Sequence, residues 1–365
     1  MNEKSITTKQ LFFVIFQAQI GIGLLSIPYS VHEHAKSDGW ISVFFAGIGI
    51  QILIILLWVL LWGFKGKNFY EITVIVFGKY LGKCINLLYT IYFLLVLSLL
   101  ALLFSDLLKR WILSYTPAPI VVLLLIAIGI YIGKNNLRVI ARFYVLASGL
   151  VILSVILPWF SFGVNFQWEY LFPIGQSGLT NIVIGSHNAI VAMIGFEIIM
   201  VILPYVTGTY KQSLKSISMA NMAVTLFYVY FMVSCYLVFS PEEIKIIPEP
   251  VLYILKAVSF RWVERMDLVF LSIWIIPMAT SFITYVYLSS SGAANLFHKG
   301  RRKYPVWYLM LFVFLAGLLF SSESEIAQFD KYVSYSSYIF MMLIPALTLL
   351  VSMIRKKFNY RSTTQ

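Results

Sequence analysis

Two stretches of this chain place helix-breaking residues inside segments that are otherwise apolar. The first reads Gly21-Ile22-Gly23-Leu24-Leu25-Ser26-Ile27-Pro28. The second begins at Gly185-Ser186-His187-Asn188 and runs through Met193 and Gly195-Phe196-Glu197 to Pro204. A glycine inside a helix costs about 1 kcal/mol and a proline about 3, so both stretches are expected to interrupt their helices. Gly21 and Gly23 cannot both serve one packing contact, because residues two apart point to different faces. An unwound segment from Gly21 to Gly23 would expose N–H groups where one half-helix starts and C=O groups where the other ends. Those groups suit a carboxylate and an ammonium respectively, the two ends of an α-amino acid. The competing reading is that the glycines permit close helix packing and Pro28 only kinks the end. The residues alone leave both open.

Glu197 is the one carboxylate deep inside an apolar segment. Intramembrane acids are costly and face a cavity, a partner or a proton path; the bland alternative is a neutral acid hydrogen-bonded to loosened backbone. His187 lies nearer the start of its segment, within reach of interfacial water. Tyr89, Tyr92, Phe93 and Val96 share one helical face, a pattern typical of bundle core. Pro277, Thr280, Ser281 and Thr284 form a small polar face suited to a ligand, an ion or ordinary interhelical bonding. Both faces become pocket walls only where their helices converge with the two breaks. Enzyme signatures are missing: there is no HExxH, CxxC or GxxxxGK[ST] run among these residues. His32-Glu33-His34 reads as a solvated surface run rather than a metal site, which wants about four ligands. No cofactor is implied.

The elements that must position these groups are helices in lipid. Hydrophobic residues make up 60% of the 365 and charged residues 12%, with mean hydropathy +0.87; a soluble domain carries about a quarter charged residues. Ten apolar stretches are long enough to approach the ~20 residues that cross a bilayer. They fall at about residues 8 to 31, 39 to 63, 83 to 108, 117 to 133, 138 to 162, 181 to 205, 216 to 239, 266 to 290, 305 to 320 and 332 to 354. A β-barrel would need alternating polarity, which a run such as Ile120 to Ile132 lacks. The first stretch is too long, and contains Gln17 and Gln19, to read as a cleaved signal peptide.

With a cytoplasmic N-terminus, 19 of the 27 basic residues fall on cytoplasmic segments, from Lys4 and Lys9 to Arg301, Arg302, Lys303 and Arg355. The acids Glu242, Glu243, Glu249, Glu323, Glu325 and Asp330 fall on the other side. Both termini are therefore expected inside. The net charge of +12 is spread over many segments, so it reads as topology signal facing anionic lipid rather than as a nucleic-acid surface. Cys84 and Cys235 both sit in expected spans, and no disulfide is inferred.

No linker divides residues 1–365, which read as a single membrane domain. The two breaks lie five spans apart, and an odd number of spans per half inverts the halves, here about 8–162 and 181–354. The connection at about 240–265 reads as a surface loop in preference to a partly helical outer lid.

Taken together, Lys9-Gln10-Leu11-Phe12, Gln17-Ala18-Gln19-Ile20-Gly21-Ile22-Gly23-Leu24-Leu25-Ser26-Ile27-Pro28-Tyr29, Asp38-Gly39-Trp40-Ile41, Gly195-Phe196-Glu197 and Leu203-Pro204-Tyr205 resemble the B-subunit permease component of spore germination nutrient receptors. That family belongs to the amino acid/polyamine/organocation transporter superfamily. The resemblance implies an all-α, LeuT-like fold of ten spans with broken first and sixth helices, in the spore inner membrane. It implies a nutrient pocket lined by Gly21, Ile22, Gly23, Met193, Gly195 and Phe196, with Tyr92, Phe93, Thr280 and Thr284 as walls and Glu197 as a gating or proton-linked acid. It implies action with an A subunit and a lipoprotein C subunit. Ile22 and Met193 do not name the nutrient. A stand-alone proton-coupled amino-acid transporter and an ion-channel subunit are the alternatives.

Overall fold

The computed structural model describes residues 5–163, 166–258, 264–297, 300–320 and 322–355. Of the 19 basic residues counted as cytoplasmic, Lys4, Lys299, Lys356, Lys357 and Arg361 lie outside the described residues. A two-residue strand β1 (Ile6–Thr7) leads into α1 (Thr8–Gln19), α2 (Gly23–Ala35), α3 (Gly39–Gly63), α4 (Phe69–Phe77), α5 (Lys79–Trp111), α6 (Ala118–Gly133), α7 (Leu137–Ser154) and α8 (Gly178–Ala192). After a bend come α9 (Ile199–Ile202), strand β2 (Val206–Thr207) and α10 (Tyr210–Val238). The chain continues through α11 (Pro241–Ile244), α12 (Pro250–Lys256), α13 (Met266–Phe297), α14 (Pro305–Leu319), α15 (Glu323–Tyr338) and α16 (Ile344–Ile354).

Local sequence explains many of the helix starts. Thr7 with Gln10, Asn68 with Glu71, Thr209 with Gln212, Ser240 with Glu243 and Ser322 with Glu325 each form a reciprocal capping box. Two orphan N–H groups are satisfied at once in each case. Among the described residues six helices, or seven if the bent run from Gly178 to Tyr205 counts as one, are long and apolar enough to cross a membrane; α6 and α14 are shorter. Helix α3 shows what such a solvent selects: it buries Ile50, Ile54 and Leu57 while exposing Phe44, Phe45, Ile52 and Ile55, apolar on both faces.

Helix α13 is the central strut, packed on α1, α5, α6, α7 and α14. Helices α2 and α3 pack on α8, and α1 and α3 on α10. Strand β1 pairs in parallel with β2, Ile6 opposite Val206 and Thr7 opposite Thr207, so the start of α1 is tied to the end of the bent segment. Asp38, fully buried, accepts from the N–H groups of Gly175 at 2.6 Å and Ser177 at 2.9 Å. A carboxylate there satisfies donors at the start of α8, where the helix dipole favours negative charge. The adjacent Gly39 is required by packing, since a Cβ would lie 2.3 Å from the Tyr236 hydroxyl.

Two sequence expectations need correction. The 240–265 connection is not a plain loop: α11 and α12 form within it, and Val251, Leu252, Ile254 and Leu255 are buried against α2 and α13. Ser240-Pro241-Glu242-Glu243 is a helix-start signal, with proline at the first position and a capping glutamate at the third. Of the His32-Glu33-His34 run, Glu33 is exposed and His34 half-buried, but α2 continues through it and turns His32 inward, edge-on against Tyr236.

Candidate functional site

The two interrupted segments cross each other. Helix α1 stops at Gln19, Ile20 takes an extended conformation, and α2 starts at Gly23. Helix α8 stops at Ala192, and Gly195 takes φ +136°. A tight turn at Phe196–Ile198 then opens the second half, bent from the first by 54°. Glycine at 195 is demanded twice, by the positive φ and by contact. A Cβ there would sit 2.0 Å from the carbonyl oxygen of Ala18, and a Cβ on Gly23 would sit 2.8 Å from the Cβ of Ala192. Gly195 thus abuts the last turn of α1, and Gly23 abuts the last residue of α8.

Side chains fasten this crossing. The Tyr228 hydroxyl of α10 shares its proton between the carbonyls of Gln19, at 3.1 Å, and Ala192, at 2.9 Å, so one group caps both half-helices. The Gln19 amide donates to the Met193 carbonyl at 3.2 Å and to Asn221 at 3.3 Å. Ser281 of α13 donates to the Ile20 carbonyl at 2.8 Å. The carbonyls released by unwinding are thereby satisfied by protein donors, as a buried break requires.

Glu197 is 1% exposed. One carboxyl oxygen accepts the N–H of Gly195 at 2.9 Å and the other the hydroxyl of Tyr285 at 2.5 Å. It therefore secures its own break to α13, with no cationic side chain paired to it among the described residues. Tyr285 in turn lies 6.2 Å from Phe93, ring centre to ring centre. Tyr92 stacks on Phe340 at 4.4 Å, and Tyr89 donates to the Phe340 carbonyl at 2.5 Å. That carbonyl belongs to a π-helical turn, Ile339–Leu343, which frees backbone groups from the regular ladder. The buried Tyr92 hydroxyl has no hydrogen-bond partner among the described residues.

The structure therefore brings together Gly21, Ile22, Gly23, Met193, Gly195, Phe196 and Glu197, and sets Tyr92 and Phe93 beside them through Tyr285. Gly21, Ile22, Gly23, Ala192 and Ile194 keep part of their surface open, whereas Met193 and Phe196 are enclosed. Thr280 and Thr284 do not join the group. Thr280 donates to Gln17 at 2.8 Å and Thr284 bonds Tyr144 at 2.8 Å, tying α13 to α1 and α7. His187 bonds and stacks on Tyr338. Tyr228, Asn221, Tyr285 and Phe340 were missed by sequence reasoning. Ser281 and Tyr285, four residues apart on one face, carried a signal; the others are linked to the breaks only through tertiary contact.

A helical membrane protein whose interrupted helices cross on a central strut has the fold of a transporter. A nucleobase-cation-symport-1 family transporter, solved in a closed conformation with bromovinylhydantoin bound, superposes with TM-score 0.65 at 15% identity, over 97% of this chain and 80% of that one. Residues 5–330 match the spore permease family, described as spore germination protein, and the chain belongs to that family. It is 24% identical to spore germination protein B2 of Bacillus subtilis, over 98% of this chain and 97% of that protein. It is 22% identical to spore germination protein GerQB of Bacillus cereus, over 95% and 96%.

Proposed function

We propose that this chain is the nutrient-binding subunit of a spore germination receptor. It senses an amino acid or similar small molecule at the crossing of its first and sixth spans and acts with A and lipoprotein C subunits in the spore inner membrane. In this reading ten spans form two inverted five-helix repeats, with both termini cytoplasmic. The observation that carries it is the contact of the two breaks beside a partly open face at Gly21, Ile22, Gly23, Ala192 and Ile194. The carbonyl ends of the breaks are occupied by Tyr228, Gln19 and Ser281. Of the first N–H groups of the thirteen-residue α2, that of Leu25 returns to the Ile22 carbonyl at 3.1 Å, and those of Gly23 and Leu24 have no acceptor within the helix. They favour a carboxylate as the recognised group. A ligand shifts the receptor only through its differential affinity for two states, and closing the half-helices around it supplies that difference.

The test is nutrient-dependent thermal protection of the purified protein with its partner subunits, across common α-amino acids. Ile22→Trp, which fills the open face, is expected to abolish protection while leaving the ligand-free melting temperature unchanged. Absence of protection by every nutrient tried would refute the reading. The enclosed Glu197 at the break favours a second reading, proton-coupled amino-acid transport. In proteoliposomes, uptake lost in Glu197→Gln but kept in His187→Gln would support it, and no flux under an imposed pH gradient would sink it.

A further inference from the structure

A second cavity lies on the side of the molecule rich in Lys and Arg, far in sequence from either helix break. It encloses about 220 Å³ and is lined by Lys134, Asn136, Gly300, Arg301, Lys303 and Tyr304, together with Arg302. The sequence explains its shape. Helix α6 ends at Gly133, so Lys134 to Asn136 turn across to α7, with Asn136 capping the N–H of Val139. Helix α13 ends at Phe297, and Gly300, at φ +80°, returns its N–H to the Ala294 carbonyl before α14 begins at Pro305. Arg302, nearly buried, clamps the two turns together. Its guanidinium donates to the carbonyls of Gly133 at 3.3 Å and Asn135 at 2.8 Å, and it lies 3.9 Å over the Tyr287 ring.

Arg302 is thus committed to structure, which leaves Lys134, Arg301 and Lys303 to give the cavity its chemistry. Among the described residues, none of the three is paired with a carboxylate and no acid lines the cavity. Three cations lining one concave site select an anion with several acceptor oxygens. The hydrogen bonds of Arg302 to the Gly133 and Asn135 carbonyls hold together the two turns that carry them.

A separate observation places the cavity at headgroup level. Tyr304 of its lining, and Tyr131, Trp307 and Tyr308 within a turn of lining residues along α6 and α14, are between 53% and 71% exposed. Lys134 holds its ammonium 5.9 Å over the Tyr131 ring. Exposed Tyr and Trp beside Lys and Arg mark the membrane–water boundary, where basic pockets between helices take anionic headgroups. We propose that this cavity binds a phosphate group, with Lys134, Arg301 and Lys303 as its ligands.

The phosphate can come from an anionic phospholipid of the adjoining leaflet or from solution, and one experiment separates the sources. The full chain, purified in neutral detergent, is examined by native mass spectrometry with phosphatidylglycerol, with phosphatidylcholine and with inorganic phosphate. Phosphatidylglycerol adducts that survive where phosphatidylcholine is lost, and that 10-fold excess phosphate does not displace, assign a lipid headgroup. Adducts displaced by phosphate, with phosphate alone retained, assign the soluble anion. Each neutralised cation is expected to weaken the retained adduct about fivefold, the equivalent of about 1 kcal/mol. A triple variant Lys134→Gln, Arg301→Gln, Lys303→Gln should therefore lose it. A charge-matched control, Lys79→Gln, Lys211→Gln, Lys215→Gln, changes residues exposed elsewhere on the surface and should retain it. Should the triple variant fail to fold, Arg301→Gln alone, at an exposed position, is read for its fivefold loss. Equal adducts in wild type and variant, or equal loss in the control, overturn the proposal, as does retention of phosphatidylcholine at the level of phosphatidylglycerol.

Discussion

Replacing Gly195 with alanine tests whether the crossing of the two broken segments is as tightly set as the contacts indicate. The new Cβ would lie 2.0 Å from the Ala18 carbonyl oxygen and 2.5 Å from its carbon. Both are backbone atoms of a helix end, which no rotamer change can move aside. A non-glycine residue held at φ +136° adds strain of about 1 to 3 kcal/mol, and overpacking a filled interior adds about 1 to 3 more. The sum, about 2 to 6 kcal/mol, is a large share of the ~5 to 15 that holds a domain folded. At about 2 °C per kcal/mol for a long chain, the melting temperature in detergent should fall by at least about 4 °C. Gly149→Ala on α7 is the matched control, because its Cβ would meet nothing within 4 Å; that variant should melt as the parent does or slightly higher. If Gly195→Ala also melted within about 1 °C of the parent, the contact between the breaks would not be a constraint, and the description of the site would fail with it.

Other outcomes follow from the same geometry. Tyr228→Phe removes the one hydroxyl shared by the Gln19 and Ala192 carbonyls, leaving one buried and one part-buried acceptor unsatisfied. A loss of about 1 to 3 kcal/mol is expected in denaturant titration, with nutrient protection weakened further because both half-helix ends loosen together. In the outer segment, Glu249 is buried beside Arg110 at 2.8 Å. Burial raises its carboxyl above the ordinary range, Arg110 opposes that shift, and Asp106 and Glu323 add to it. A carboxyl raised by folding favours its protonated form in the folded state, so docking of α12 should strengthen as pH falls through its titration, above the ordinary value of about 4.3. Protease protection of residues 240–258 should therefore rise toward acid in the parent and flatten with pH in Glu249→Gln. An unchanged pH response in the variant would assign it to another group.

Residue order alone marks this as a helical protein for lipid, because a chain so apolar satisfies its backbone there only within its own helices. It also located both breaks, since Gly21, Gly23 and Gly195 are costly within a helix wherever they occur. The motif Asp38-Gly39-Trp40 was visible too, but its work was not. That Asp38 holds the entry to α8, and that Gly39 yields to Tyr236, depends on residues more than a hundred positions away. Only the tertiary structure decided what completes the site. Thr280 and Thr284 share a polar face that a linear pattern cannot aim, and packing on α1 and α7 turned their hydroxyls to Gln17 and Tyr144. Glu197 was legible as a buried acid, yet its partners are set by the 54° bend that frees the Gly195 N–H and by the register of α13 that delivers Tyr285. Periodicity assigns a residue to a face, whereas the neighbour that face meets is fixed by how the helices cross. For that reason the breaks could be read in the sequence and the Tyr228 cap that joins them could not.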